Sequence, residues 1–306
     1  MKHFSLGCFV IIATWLASTA TAQQVEGYEL ALADLRGHRT VLGTLPGTVF
    51  APRVSPDGKS VAFELADLGA DGKPAARRLY VAPIADLSQR RALPQVGSGN
   101  NWAAVWSTDG AHLAFLVNGD RPDTIFWRRA DGRDEARPLT EGRAAEGIYA
   151  GDRTLSFLTL TTPGDYGIAL MDLPTQTVTL RIDREGSAQH SARISPDGNW
   201  IAYSSDESGR QEVWLARLGR PELRYRITQD GGRHPLWSRD GSTLYFDQAG
   251  QMFRIELFLG AEVPKAGKPK GLPIRGFQQG DLRRQFDLMP DGKRFLMLFP
   301  RGAAAP

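Results

Sequence analysis

Thiol chemistry is almost missing from this chain: among 306 residues there is one cysteine, Cys8. It lies inside the apolar run FSLGCFVIIATWLA, which follows Lys2 and His3 and ends at Ala20-Thr21-Ala22. A basic start, a short apolar stretch and small residues before Gln23 have the layout of a secretory signal peptide, expected over residues 1–22. Cys8 sits in the middle of that run, a poor place for a lipid-modified terminus, and would leave with it. The exported chain would then hold no disulfide, and its stability must come from packing and sheet pairing.

Other absences narrow the function. After residue 22 no stretch approaches the ~20 apolar residues that a membrane-spanning helix needs. Charge of one sign is not in excess, with 37 Lys and Arg against 34 Asp and Glu, so nothing argues for nucleic acid as a partner. There is no G-x-S-x-G elbow, so the nucleophile turn of an α/β serine hydrolase is not expected. Histidine is scarce too: beyond the leader only His38, His112, His190 and His234 remain.

Turn residues, in contrast, are plentiful: 33 glycines and 19 prolines point to an all-β chain. The tetrapeptide SPDG occurs at Ser55–Gly58 and Ser195–Gly198, with looser copies at Ser107–Gly110, Ser238–Gly241 and Met289–Gly292. A sixth, degenerate copy is Ala150-Gly151-Asp152-Arg153. Steps between the turn aspartates 57, 109, 152, 197, 240 and 291 fall in the range of one four-stranded propeller blade, roughly 40–50 residues.

Each turn is flanked by alternating apolar residues, as in KSVAFEL and NWIAYSS, which is the period of a strand. Pro presets the first central residue of the turn, Asp accepts backbone N–H bonds, and Gly takes the positive φ. A second hairpin follows each of the first five turns, for example EVWLARL with LRYRIT. The last turn has only its first hairpin, while YELALADL and RTVLG near the start form an unpartnered second one. Residues 23–306 are therefore expected to make a single six-bladed β-propeller of four-stranded antiparallel blades. The last blade combines about 284–299 with 28–45 and closes the ring.

The order of apolar strand, SPDG, IAY strand and EVWL strand over residues 190–218 resembles the TolB-type, WD40-like, six-bladed propeller repeat, and the resemblance extends over nearly all of the chain after the leader. It implies a fold used for binding rather than one fixed activity. TolB itself carries an α/β domain before its propeller, for which this chain has only a handful of residues, so its partners are not carried over.

Propeller ligands generally sit at a channel mouth built from loops entering the innermost strands. Counting back seven and six residues from each turn aspartate gives Phe50-Ala51, Trp102-Ala103, Ala145-Glu146, His190-Ser191, Arg233-His234 and Arg284-Gln285. Arg53 and Arg193 share a position deeper in the first strand, suited to an anionic ligand or to inter-blade ion pairs. The candidate ligand-binding residues are thus Phe50, Arg53, Trp102, Glu146, His190, Arg193, Arg233, His234 and Arg284, with a plain solvated polar rim as the alternative. No metal site is assigned; His190, His234 and Glu146 are the one set of residues to test for it.

Two long segments, 66–78 and 261–285, are further places for specificity. The first holds Asp67 and Asp71 near Gly72 without the ligand spacing of a calcium loop. The second carries Lys265, Lys268, Lys270, Arg275, Arg283 and Arg284, a basic set suited to an anionic surface or to solvent. Trp106 and Trp237, three before their aspartates, belong to an apolar column between blades.

The expectation is an exported, periplasmic or secreted, monomeric binding propeller without cofactor. It would engage a protein or a small envelope-derived ligand at the channel mouth and long loops. The enzymatic alternative is a metal-assisted lyase or hydrolase using His190 and His234, and a purely structural scaffold is the third reading.

Overall fold

A computed structural model of the chain describes residues 27–68, 74–119, 122–260 and 263–301. The leader with Cys8, and Asp71 and Gly72 of the first long loop, lie outside the described residues. Six sheets follow one another around a ring. Blade 1 is Thr48–Val54, Ser60–Leu68, Pro74–Pro83 and Arg91–Ala92; blade 2 is Asn101–Trp106, His112–Val117, Thr124–Arg129 and Arg137–Glu141. Blade 3 is Ala144–Tyr149, Thr154–Thr162, Asp165–Asp172 and Thr177–Ile182; blade 4 is Gln189–Ile194, Trp200–Ser205, Glu212–Arg217 and Arg220–Arg226. Blade 5 is Arg233–Trp237, Thr243–Gln248, Gln251–Phe258 and Lys270–Arg275, with the short Lys265–Ala266 also paired to its third strand.

Blade 6 joins the two ends: Phe286–Leu288 and Arg294–Pro300 are continued by Tyr28–Asp34 and Arg39–Leu45. Tyr28 pairs with Pro300 and Asp34 with Arg294, in unbroken antiparallel register, so no sheet edge is left where the ring closes. A three-residue 3-10 turn, Leu87–Gln89, is the helical element among the described residues, and no helix there is long and apolar enough to cross a membrane.

First strands of neighbouring blades pack against one another, which places them around the axis, and they are buried almost throughout. Fourth strands face outward and are largely exposed. Apolar side chains collect between blades: Phe63 with Leu298, Leu79 with Phe115, Phe157 with Tyr203, Val213 with Phe246, and Tyr245 with Phe295. Each such ring or aliphatic chain, fully removed from water, contributes about 1.5–3 kcal/mol. Trp106 and Trp237 are buried in these seams as expected, and their indoles do more than pack. Trp106 Nε1 donates to the Arg53 carbonyl (2.9 Å) and Trp237 Nε1 to the Arg193 carbonyl (2.9 Å), each on the preceding blade.

The repeated turn is closed by its own side chains. Ser Oγ donates to Asp Oδ1 at Ser55–Asp57, Ser107–Asp109, Ser195–Asp197 and Ser238–Asp240, at 2.5–2.6 Å. The same hydroxyl accepts the backbone N–H five residues on, as from Trp200 to Ser195 (2.9 Å). Turn glycines also nest on the proline of the turn before: a Cβ on Gly110 would meet Pro56 at 3.4 Å, and one on Gly241 would meet Pro196 at 3.5 Å. Blade 3 has neither this serine nor this proline. Its Asp152 instead accepts from the Thr108 backbone N–H and hydroxyl of blade 2, and nothing lies within 4 Å of a Cβ on Gly198 of blade 4.

Candidate functional site

The residue pairs that mark the innermost-strand entrances fold into a recurrent kink. Pairing with the second strand slips between Phe50 and Arg53, Trp102 and Val105, His190 and Arg193, and Arg233 and Leu236. At each slip a non-glycine residue takes a left-handed conformation: Ala51 (φ 48), Ala103 (φ 52), Ser191 (φ 60) and His234 (φ 56). Such a bulge frees one backbone N–H and re-aims the neighbouring side chains. A polar side chain from the adjoining, preceding blade satisfies that N–H every time. Gln285 Oε1 takes Ala51 N–H (2.7 Å), Glu64 Oε1 takes Ala103 N–H (2.8 Å), Glu146 Oε1 takes Ser191 N–H (2.9 Å), and Ser204 Oγ takes His234 N–H (2.9 Å).

Glu146 is therefore an inter-blade stitch. Its second oxygen takes the Ala192 N–H, and burial pushes its carboxyl above the usual range, against the pull of Arg193. His190 and His234 are wholly buried, with ring centroids 5.5 Å apart. His190 bonds Ser191 Oγ through Nδ1 (3.0 Å) and Gln211 Oε1 through Nε2 (3.1 Å). His234 bonds Asp247 Oδ1 through Nδ1 (2.7 Å) and donates from Nε2 to the Asp281 carbonyl (3.1 Å).

All four ring nitrogens are thus engaged by protein atoms, and Glu146 points its oxygens at backbone amides. The set His190, His234 and Glu146 does not fit a metal, and among the described residues no group of three or more His, Cys, Asp or Glu could hold one. The metal-assisted lyase or hydrolase has no support in this geometry.

A feature that periodicity did not reveal covers the mouth. The segment 276–285 connecting blades 5 and 6 crosses the axis and is bonded on several sides. The Asp281 carbonyl is held by His234, the Leu282 carbonyl by Ser191 Oγ (3.2 Å), and the Arg284 carbonyl by Arg53 Nη1 (3.2 Å). Arg233 pairs with Asp281 at 3.6 Å. A Cβ on Gly280 would fall 2.1 Å from the Arg283 carbonyl, so the bend in this strap requires glycine. The basic set expected along 261–285 is dispersed: Lys270 pairs with Glu256, Arg275 bonds Gln251, Arg283 pairs with Glu64 and Arg284 with Asp287. Part of that segment is the strand Lys270–Arg275, and Lys265, Lys268, Lys270 and Arg275 are exposed.

What remains on the rim is a stack of guanidiniums and aromatic rings over blades 1 and 2. Arg77 lies 4.0 Å from the Phe50 ring centroid and 5.6 Å from that of Trp102, and Arg283 lies 5.0 Å from that of Trp102. Both arginines are anchored by the buried Glu64, Arg283 directly and Arg77 Nη1 at 3.6 Å. Phe50 and Trp102 were legible as mouth residues; Arg77 and Glu64 were not. The available signal for Arg77 was its place at the end of the first long loop.

Deeper in, Arg53, Arg193 and Arg284 are all more than nine-tenths buried. Arg284 pairs with Asp287 (3.1 Å), but Arg53 and Arg193 have no carboxylate partner among the described residues and bond mainly to backbone carbonyls. Burial pulls Arg53 down to about 9 despite Asp287 nearby, and pushes the Asp287 carboxyl up.

No protein-family model matches the chain. Tricorn protease homolog 1 of Streptomyces coelicolor is 26% identical over 239 residues, 73% of this chain and 21% of that protein. The Tol-Pal system protein TolB of Alcanivorax borkumensis is 31% identical over 104 residues, 33% of this chain and 22% of that one. The matches span about a fifth of the length of these curated relatives. Among solved structures, a TolB-type protein described as putative, from Agrobacterium tumefaciens, superposes with a TM-score of 0.68 at 18% identity, covering 90% of this chain and 99% of that one. TolB from Acinetobacter baumannii does so at 0.55 and 14%, covering 89% and 63%. Taken with the six blades and the SPDG repeat, these likenesses make the chain a TolB-like six-bladed β-propeller in fold and repeat type.

Proposed function

We propose that this propeller is an exported, non-catalytic interaction module that engages a protein partner at the channel mouth. The rim stack of Phe50, Arg77, Trp102 and Arg283 carries the reading. Tryptophan and arginine are the residue types that concentrate binding energy at protein interfaces, and here a buried carboxylate holds the guanidiniums in place before any partner arrives. That preorganisation lowers the ordering cost of association. The likeness to TolB-type propellers supports a binding role over an enzymatic one, and with the signal-peptide layout it supports a place in the cell envelope or outside the cell.

Capture from envelope extracts tests the reading. The wild-type protein should retain a partner that Trp102→Ala and Arg77→Ala lose by about tenfold or more, the loss typical of central interface residues. Equal recovery with both variants would refute the mouth as the docking surface.

A further inference from the structure

At the opposite end of the channel, on the face carrying the SPDG turns, two cavities meet. One is a chamber of about 310 Å³ at the axis, bordered by Arg53, Arg193, Arg284, Glu146 and Asp287, with the exposed Pro56 and Thr108 at its rim. The other is a groove of about 750 Å³ between blades 3 and 4, and Thr108, Ile148 and Tyr149 line both. The groove exists because the third turn is degenerate. With Gly151 at the place that Pro56 and Pro196 take in the SPDG turns, nothing covers Gly198, and the aliphatic Ile148, Leu170, Leu180, Ile194 and Leu218 line the gap between the two blades.

We propose that chamber and groove form one binding site for a small amphiphilic anion, its carboxylate or phosphate head among Arg53, Arg193 and Arg284 and its apolar body along Leu180 and Leu218. Charge selects the head. Three guanidiniums border the chamber; the carboxylate of Asp287 is paired with Arg284, and that of Glu146 is turned onto the Ser191 and Ala192 amides. The Nε atoms of Arg53 and Arg284 are buried and have no hydrogen-bond partner among the described residues, so the surrounding protein does not saturate these two guanidiniums. Composition selects the body. The one carboxylate on the groove, Asp197, is turned onto Ser195 and Asn199 of its own turn. The site lies on the other face from the Trp102 rim and does not depend on the partner reading.

Calorimetric titration of the full chain at low ionic strength, with probes below their micellar range, tests it. Dodecanoate and dodecyl phosphate should bind the wild type on the order of tenfold to a hundredfold tighter than neutral dodecanol, the effect of charge-assisted hydrogen bonds. The tighter of the two anions identifies the head group. Inorganic phosphate alone should bind weakly and be indifferent to Thr179→Trp, an exposed position on the groove, whereas that variant should weaken dodecanoate about tenfold. Arg53→Met with Arg193→Met should bring both anions to the dodecanol level; Thr179→Trp, which leaves the arginines intact, decides the matter where the double variant does not fold. Dodecanol binding as tightly as dodecanoate, full anion affinity in the folded arginine variant, an unaffected Thr179→Trp, or no binding by the wild type each overturns the proposal.

Discussion

The imidazoles of His190 and His234 lie 5.5 Å apart on adjacent blades, and each is bonded at both nitrogens, so what reads as a metal pair is a buried hydrogen-bonded seam. His190 is held neutral: burial first, then His234 beside it, push its pKa down to about 3. An unfolded histidine takes its proton near pH 6.5. Between those values the unfolded chain binds a proton that the folded chain refuses, so the stability is whole above about pH 6.5 and falls as pH drops toward 3. From pH 7 to pH 5 the loss from this group should be about 2 kcal/mol. Urea unfolding at pH 7, 6 and 5 measures it, and His190→Gln should flatten that part of the slope; an unchanged slope would assign the dependence to other groups.

Glu64 offers a second test, because one buried carboxylate serves the Ala103 amide, Arg283 and Arg77 together. Glu64→Ala leaves a largely buried guanidinium and a bulge amide without their acceptor and should cost about 3–5 kcal/mol. Glu64→Gln keeps an oxygen for Ala103 and should cost less. Urea midpoints compare the two, and an alanine variant within ~1 kcal/mol of wild type would show that the carboxylate is not a structural anchor.

Trp106 and Trp237 donate to carbonyls of different preceding blades and share no partner. Trp106→Phe and Trp237→Phe should each cost about 1–3 kcal/mol, from one lost hydrogen bond and a small void. The double variant should equal the sum within about 0.5 kcal/mol. A markedly larger loss would mean that the seams are coupled around the ring.

How far the chain could be read varies with the range of the interactions involved. Asp57, Asp109, Asp197 and Asp240 announced the blades because a turn is set by four consecutive residues, and their spacing survives any folding. The half-blades at the two ends could be matched because each has one partner to complete it, whereas the residue pairing, Tyr28 with Pro300, came only from the structure. Glu146 and His190 were placed at the right height, but their orientation was hidden: the left-handed Ser191 next to them turns polar atoms inward, and that depends on crowding at the axis, not on local spacing. The strap was hidden for a related reason. Asp281 and Leu282 act through carbonyls, which every residue carries, so their side chains do not reveal the bonds to His234 and Ser191.

Blade 6 has a kinetic consequence. Its second strand, Arg294–Pro300, pairs with Tyr28–Asp34, so the first described strand of the chain must wait, unpaired on one side, until nearly all the rest has been made. During synthesis five blades can assemble in order, with Leu30 and Leu32 packed on blade 1, while one backbone edge of Tyr28–Asp34 still lacks its partner strand. The final step joins residues most distant along the sequence, and contacts of that kind form slowly. Ring completion should therefore set the overall folding rate, and the waiting apolar strand is the natural target for a chaperone or for misassembly with another nascent copy.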